Sequence, residues 1–138
     1  MSEESKPNYL YKIISSSTPI PDIGNLPDAL PVSDTDQASG FIFLSTAPQV
    51  PGTLQFFFKD EPRVYVLRIA YTRIEEQIKW EDFIGEVSGL PGEEGMFPHL
   101  YNDFKLGKGE VERVETLQKG EDGWNQTVYN ASADWLVW

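Results

Sequence analysis

Cysteine is absent from this chain and histidine occurs once. The first absence removes disulfides, thiolate nucleophiles, zinc–cysteine sites and iron–sulfur clusters together. The second leaves His99 as the sole side chain with an unperturbed pKa near neutrality, and rules out a multi-histidine metal site. Cations are also scarce: 11 Lys and Arg face 22 Asp and Glu, for a net charge of −11. Nonspecific nucleic-acid binding draws on Lys and Arg that neutralise phosphates, so a nucleic-acid partner is disfavoured. No apolar run approaches the roughly 18 residues of a membrane span, so no membrane association is expected. The start, Met1-Ser2-Glu3-Glu4-Ser5-Lys6, has neither the basic opening nor the apolar stretch of a signal peptide. These gaps predict an acidic, soluble, intracellular protein, cytoplasmic or nuclear.

What is present suits a folded body. Hydrophobic residues make up 40% of 138 positions and aromatics 13%, enough for one domain with its own core. Tyr9 to Ile14 is rich in aromatic and β-branched residues and predicts a first strand. Pro19, Pro21, Pro27 and Pro31 then make Thr18–Pro31 a loop or set of turns. Ser33-Asp34-Thr35-Asp36 reads as a capped turn or helix start. Phe41–Leu44 predicts a short buried strand, after which Ser45-Thr46 can cap a helix with Pro51 in its first turn.

Val50, Leu54, Phe57 and Phe58 share one helix face and are expected in the core, with Phe56 at its rim. Arg63–Ala70 is nearly continuous in apolar residues, as in a central strand covered on both faces. Tyr71–Gln77 predicts a helical turn, Ile78–Phe83 an extended piece, and Gly85–Gly95 a long mobile loop. Val111, Val114 and Leu117 have a helical period, but their β-branched content points to a strand. Beyond Gly120 lie Trp124, Tyr129, Trp135 and Trp138, and so many aromatics predict a tail packed back on the body.

Few residues can carry chemistry. His99 is either a structural core histidine or a proton carrier. Glu81, beside Trp80, is either a solvated strand residue or a carboxyl in an apolar wall with a raised pKa. Ser45 and Thr46 cap a helix at minimum, and the same geometry can bind a ribose or an anion. Lys12 is either a lysine on the solvated face of its strand or a phosphate contact in the same cleft. Gly85, Gly89, Gly92 and Gly95 match neither a phosphate loop nor a dinucleotide fingerprint, and no carboxylates have calcium-loop spacing. No metal site is expected.

Three phrases recur in an order that carries a resemblance: Gly40-Phe41-Ile42-Phe43-Leu44-Ser45-Thr46, then Lys79-Trp80-Glu81, then Phe97-Pro98-His99-Leu100-Tyr101. Together with Tyr11-Lys12-Ile13, Asp36, Gln49 and Thr53, they resemble the DUF952 family, from Tyr9 to about Val114. That family's fold resembles those of ADP-ribosyltransferases and RNA 2′-phosphotransferases. The resemblance implies an α+β domain over residues 9–119, with a bent or split mixed β-sheet and one or two packed helices. Residues 1–8 would be a disordered N-terminus, and 120–138 an aromatic extension packed on the domain.

It also implies a cleft for a nucleotide-like or phosphorylated small molecule, NAD or a related nucleotide. Lys12, Ser45, Thr46, Trp80 and Tyr101 would bind the ligand. Glu81 would stabilise an oxocarbenium-like transition state and His99 would position groups or carry a proton. Three departures from the family pattern matter. Phe43 occupies the place of the family's usual histidine, the loop between Glu81 and Phe97 is longer, and the tryptophan-rich tail is an addition. A ligand-binding protein with a shifted ligand mode or without catalysis is therefore one reading; if it is active, NAD-dependent ADP-ribosyl transfer or related ribose chemistry is the implied reaction. A protein-interaction module using a plugged cleft and the tail is the other. Oligomeric state is left open.

Overall fold

In this computed structural model, which describes residues 6–138, the run Arg63–Ala70 forms the central strand β3. It pairs antiparallel with β1 (Tyr9–Ser15) on one side and β6 (Val111–Gln118) on the other, giving the sheet order β1-β3-β6. Strand alternation sends Val64 and Val66 to one face and Leu67 and Ile69 into the other, and all four are fully buried. That two-sided burial is why the sequence is apolar at nearly every position of this strand. Pairing with β3, and not the three-residue period, decides that Val111 and Leu117 sit on a strand.

The second sheet is built from β2 (Ile42–Phe43), β4 (Ile78–Glu81) and β5 (Phe97–Leu100), in the order β2-β5-β4. Both of its pairings are antiparallel too. The expected split sheet is therefore found, but as two antiparallel sheets and not a mixed one. The chain connecting β2 to the next helix is short and returns beside β1, where Tyr11 and Ser45 exchange both backbone hydrogen bonds at 2.8 Å. That single bridge stitches the sheets together.

Helices cover the remaining faces. Ser33 caps α1 (Asp34–Ser39) by accepting the Asp36 N–H, and Gly40 ends it with φ of 87°, a conformation that costs glycine little. Thr46 and Gln49 form a capping box over a 3-10 turn that leads into α2 (Val50–Phe57). Val50 and Leu54 are fully buried, whereas Phe57 is 54% exposed. Phe57 was expected in the core, but its ring turns to the surface and stacks on Phe83, while Phe58 packs against the core. Tyr71–Ile74 forms α3 directly after β3.

Residues 120–138 turn inward: α4 (Asn125–Ser132) and its flanks bring Trp124, Ala131, Trp135 and Leu136 into a cluster with Tyr11, Val50 and Val66. The hydroxyl of Tyr11 donates to Val137 O at 2.8 Å and receives the Val137 N–H at 3.0 Å. Tyr129, by contrast, is exposed. Of the segment expected to be disordered, residues 1–5 lie outside the described residues, while Asn8 donates its N–H to Trp138 O. Among the described residues no helix is long and apolar enough to cross a membrane.

Candidate functional site

The second sheet positions the site, because its strands alternate. Ile42, Trp80 and Leu100 point into the core beneath the first sheet. On the opposite face, Phe43 stands across from His99, and Glu81 across from Phe97. His99 is fully buried and donates Nδ1–H to Glu81 Oε1 at 2.9 Å, while Tyr101 O–H donates to the same oxygen at 2.6 Å. A carboxylate oxygen only accepts, so this arrangement places the imidazole proton on Nδ1 and leaves Nε2 as a lone pair. Among the described residues Nε2 has no hydrogen-bond partner.

Burial holds the His99 pKa below its usual value, against the opposing pull of Glu81 and, more weakly, Asp82 and Asp36. The Tyr101 hydroxyl is pushed up to about 12, by burial first and then by its hydrogen bond to Glu81. Phe41 stacks on the His99 ring at 3.9 Å between centroids, and Phe43 lies at 5.1 Å.

A turn closes over this cluster. Asp82 Oδ1 accepts the N–H groups of Glu86 and Val87 and so draws the chain back after β4. The expected extended piece therefore stops at Glu81. Gly85 sits in the turn with φ of 82°, and a Cβ there would stand 3.1 Å from Phe41 Cε2 and 3.6 Å from Glu81 Oε1. Gly85→Ala is expected to cost about 1–2 kcal/mol from its left-handed backbone, with the Phe41 contact adding to the loss. A lower urea midpoint at unchanged m-value would register it.

In front of Phe41 and Phe43 opens a cleft of about 490 Å³. Its far wall is the end of β1 and α1, and its mouth carries Phe57 and Phe83, whose rings stack at 5.5 Å. Lys12 lies deep in it. Strand alternation places this lysine between Leu10 and Ile14, on the face that meets the second sheet and not on a solvated one. Its ammonium donates to Asp36 Oδ2 at 2.7 Å and to Phe43 O at 3.0 Å. Ser45 also lines the cleft, its hydroxyl paired with Thr53 at 3.2 Å.

The sequence-predicted residues thus fall into four places. Lys12 and Ser45 line the open cleft. Glu81, His99 and Tyr101 meet in one hydrogen-bonded cluster behind the aromatic wall. Thr46 is buried in its capping box, and Trp80 faces the core, where Nε1 donates to Tyr71 O–H at 3.0 Å. Trp80 cannot wall a cleft beside Glu81, because neighbours on a strand point to opposite faces. Sequence reasoning missed the aromatic wall of Phe41, Phe57 and Phe83, and the partner of Lys12. Asp36, already carried by the family phrase, was the available signal for that partner.

The fold and cluster define a small α+β protein of two antiparallel sheets, with a Glu–His–Tyr group sealed by phenylalanines. The family model described as "Protein of unknown function (DUF952)" matches residues 24–114, and the chain belongs to that family. Its structure is similar to the crystal structure of protein CC0527 from Caulobacter crescentus, with 26% identity and a TM-score of 0.63 over 88% of this chain and 98% of that one. The solution NMR structure of CC0527 gives 25% identity and a TM-score of 0.62 over 92% and 99%. No curated protein matches the chain.

Proposed function

We propose that this chain binds a nucleotide-like small molecule in the cleft between α1, β2 and the Phe57–Phe83 mouth, without catalysing its turnover. The observation that carries this reading is the cleft itself. It has a volume of about 490 Å³, aromatic side chains on two sides, and one lysine–aspartate pair among hydroxyls. Pockets for drug-sized ligands are built this way, with apolar walls and a few convergent polar groups. The resemblance to ADP-ribosyltransferases and RNA 2′-phosphotransferases makes NAD or a related nucleotide the first ligand to test.

Two features favour binding over catalysis. Phe43 contributes no proton and no hydrogen bond from its side chain at the place of the family's usual histidine. Glu81 and His99, the groups that would stabilise and position a reacting ribose, lie behind Phe41 and Phe43 and do not line the cleft. ADP-ribosyl transfer would require both the wall and the Asp82–Gly85 turn to move.

An NMR titration with NAD, ADP-ribose and nicotinamide tests this. Saturable shifts at the amides of Lys12, Phe43 and Ser45 are expected in the native protein. Shifts seen only in Phe43→His would mean that the cleft is blocked. Silence in both would end the reading for NAD and its fragments.

The second reading, a protein-interaction module, is favoured by exposed Phe57, Phe83 and Ile84 at the cleft and by exposed Phe56 beside Phe57. It draws no support from the tail's Trp124 and Trp135, which are buried. Concentration-dependent self-association, lost in Phe56→Ser, would bring that reading forward.

A further inference from the structure

Among the described residues the cleft has one cationic lining group, Lys12, and one anionic, Asp36, and the two are paired at 2.7 Å. The pair carries no net charge, and the chain around it is acidic by 11 charges. A phosphate would meet a lysine already neutralised and a carboxylate beside it. The pair is therefore poorly suited to an anion, and its hydrogen-bonding capacity says what it does suit.

An ammonium has three donors, and Lys12 spends two of them on Asp36 Oδ2 and Phe43 O. Asp36 Oδ2 accepts from Lys12. Asp36 Oδ1 receives only the Phe43 N–H, at 3.4 Å, longer than a well-made bond. One donor on Lys12 and one acceptor on Asp36 are thus left side by side. Both line the cleft, and Asp36 itself is only 3% exposed. Phe43 and Phe83 supply ring faces in the same cleft, their centroids 5.0 Å apart.

We infer that the Lys12–Asp36 pair reads the adjacent carbonyl and N–H of an uncharged ring, the edge presented by a lactam nucleobase. Lys12 donates to the ring carbonyl, Asp36 accepts from the neighbouring ring N–H, and any phosphate on the ligand stays outside the cleft. This inference rests on the small-molecule reading above and narrows its ligand to a neutral nucleoside-like compound.

The test is an NMR titration of the full chain with uridine, 3-methyluridine and inorganic phosphate. The two nucleosides differ in the one ring N–H that Asp36 would accept. Uridine is expected to give saturable shifts at Lys12, Asp36 and Phe43. The methylated base should bind weaker by roughly tenfold or more, since it leaves the buried acceptor unmatched. Phosphate should give no saturable shift at these amides. Asp36→Asn turns a donor towards the ligand where an acceptor stood, and should collapse the difference between the nucleosides. The two-nucleoside comparison on native protein stands even if that variant fails to fold.

Equal affinity for both nucleosides, or a phosphate site at Lys12, would overturn the inference. So would cleft shifts with NAD or nicotinamide but none with uridine, and in each of these cases the cleft itself survives as a binding site. If none of these ring compounds shifts the cleft, the small-molecule reading falls and this inference goes with it.

Discussion

Removing residues 120–138 is expected to unfold the protein, not to release an appendage. The segment buries Trp124, Trp135 and Leu136 against Tyr11, Val50, Leu54, Val64 and Leu117. It also supplies backbone acceptors that tie it to the first sheet: Arg68 donates to Trp135 O at 3.0 Å, and Trp138 O receives the N–H groups of Asn8 and Tyr9. Truncating a buried tryptophan to alanine costs about 3–5 kcal/mol, against a whole-domain stability of about 5–15 kcal/mol. Losing two of them with Leu136 consumes most or all of that margin. The single change Trp135→Ala should lower the melting temperature by roughly 10 °C or more. Thermal melts by near-ultraviolet circular dichroism check both. A truncated chain that kept a cooperative melt and its aromatic signal would show that the tail is dispensable.

Stability should also fall as the pH drops below about 6.5, and His99 should be the cause. Its folded-state pKa lies below the unfolded value because burial disfavours the charged ring. The unfolded chain therefore takes up the proton first. The contribution is fully present above the unfolded pKa and is lost as pH falls through the folded one. Protonation must occur at Nε2, which has no acceptor within the described residues. Urea unfolding between pH 7.5 and 5 measures the slope. His99→Gln should remove the part of it that begins near 6.5, since no other histidine exists.

Glu81→Ala tests the same cluster without a titration. It strands the His99 N–H and the Tyr101 O–H together, at a cost of about 2–4 kcal/mol. A pH-independent midpoint in the native protein, or a neutral Glu81→Ala, would show that the cluster is not held as described.

The residues that meet were legible; the side on which they meet was not. His99, Glu81 and Tyr101 were singled out from two short phrases, and two hydrogen bonds to one oxygen join them. Trp80 came from the same phrase as Glu81 and was assigned the same cleft. A period of two separates adjacent strand residues by a full face, and nothing in the phrase says which face is the core. Lys12 shows the converse. A lysine within an apolar strand ordinarily faces water, and only α1, folding over β1 with Asp36, turns the inward face into a polar one. Phe57 had the right helical spacing for the core, yet its ring stacks on Phe83 at the cleft while Phe58, just beyond the helix, packs on the core.

By itself, the sequence determined what depends on local periodicity and residue chemistry. That includes the central strand Arg63–Ala70, the capped entry into α2, the breaks at proline and glycine, and the absence of thiol and multi-histidine chemistry. Tertiary structure alone decided which strands pair in each half of the split sheet and that both halves are antiparallel, because strand partners lie far apart in the chain. It also decided that Glu81 and His99 are sealed behind Phe41 and Phe43, while Lys12 and Asp36 face an open cleft. Both results turn on which of two faces each strand presents to its neighbours, and that is set by long-range packing that no local pattern encodes.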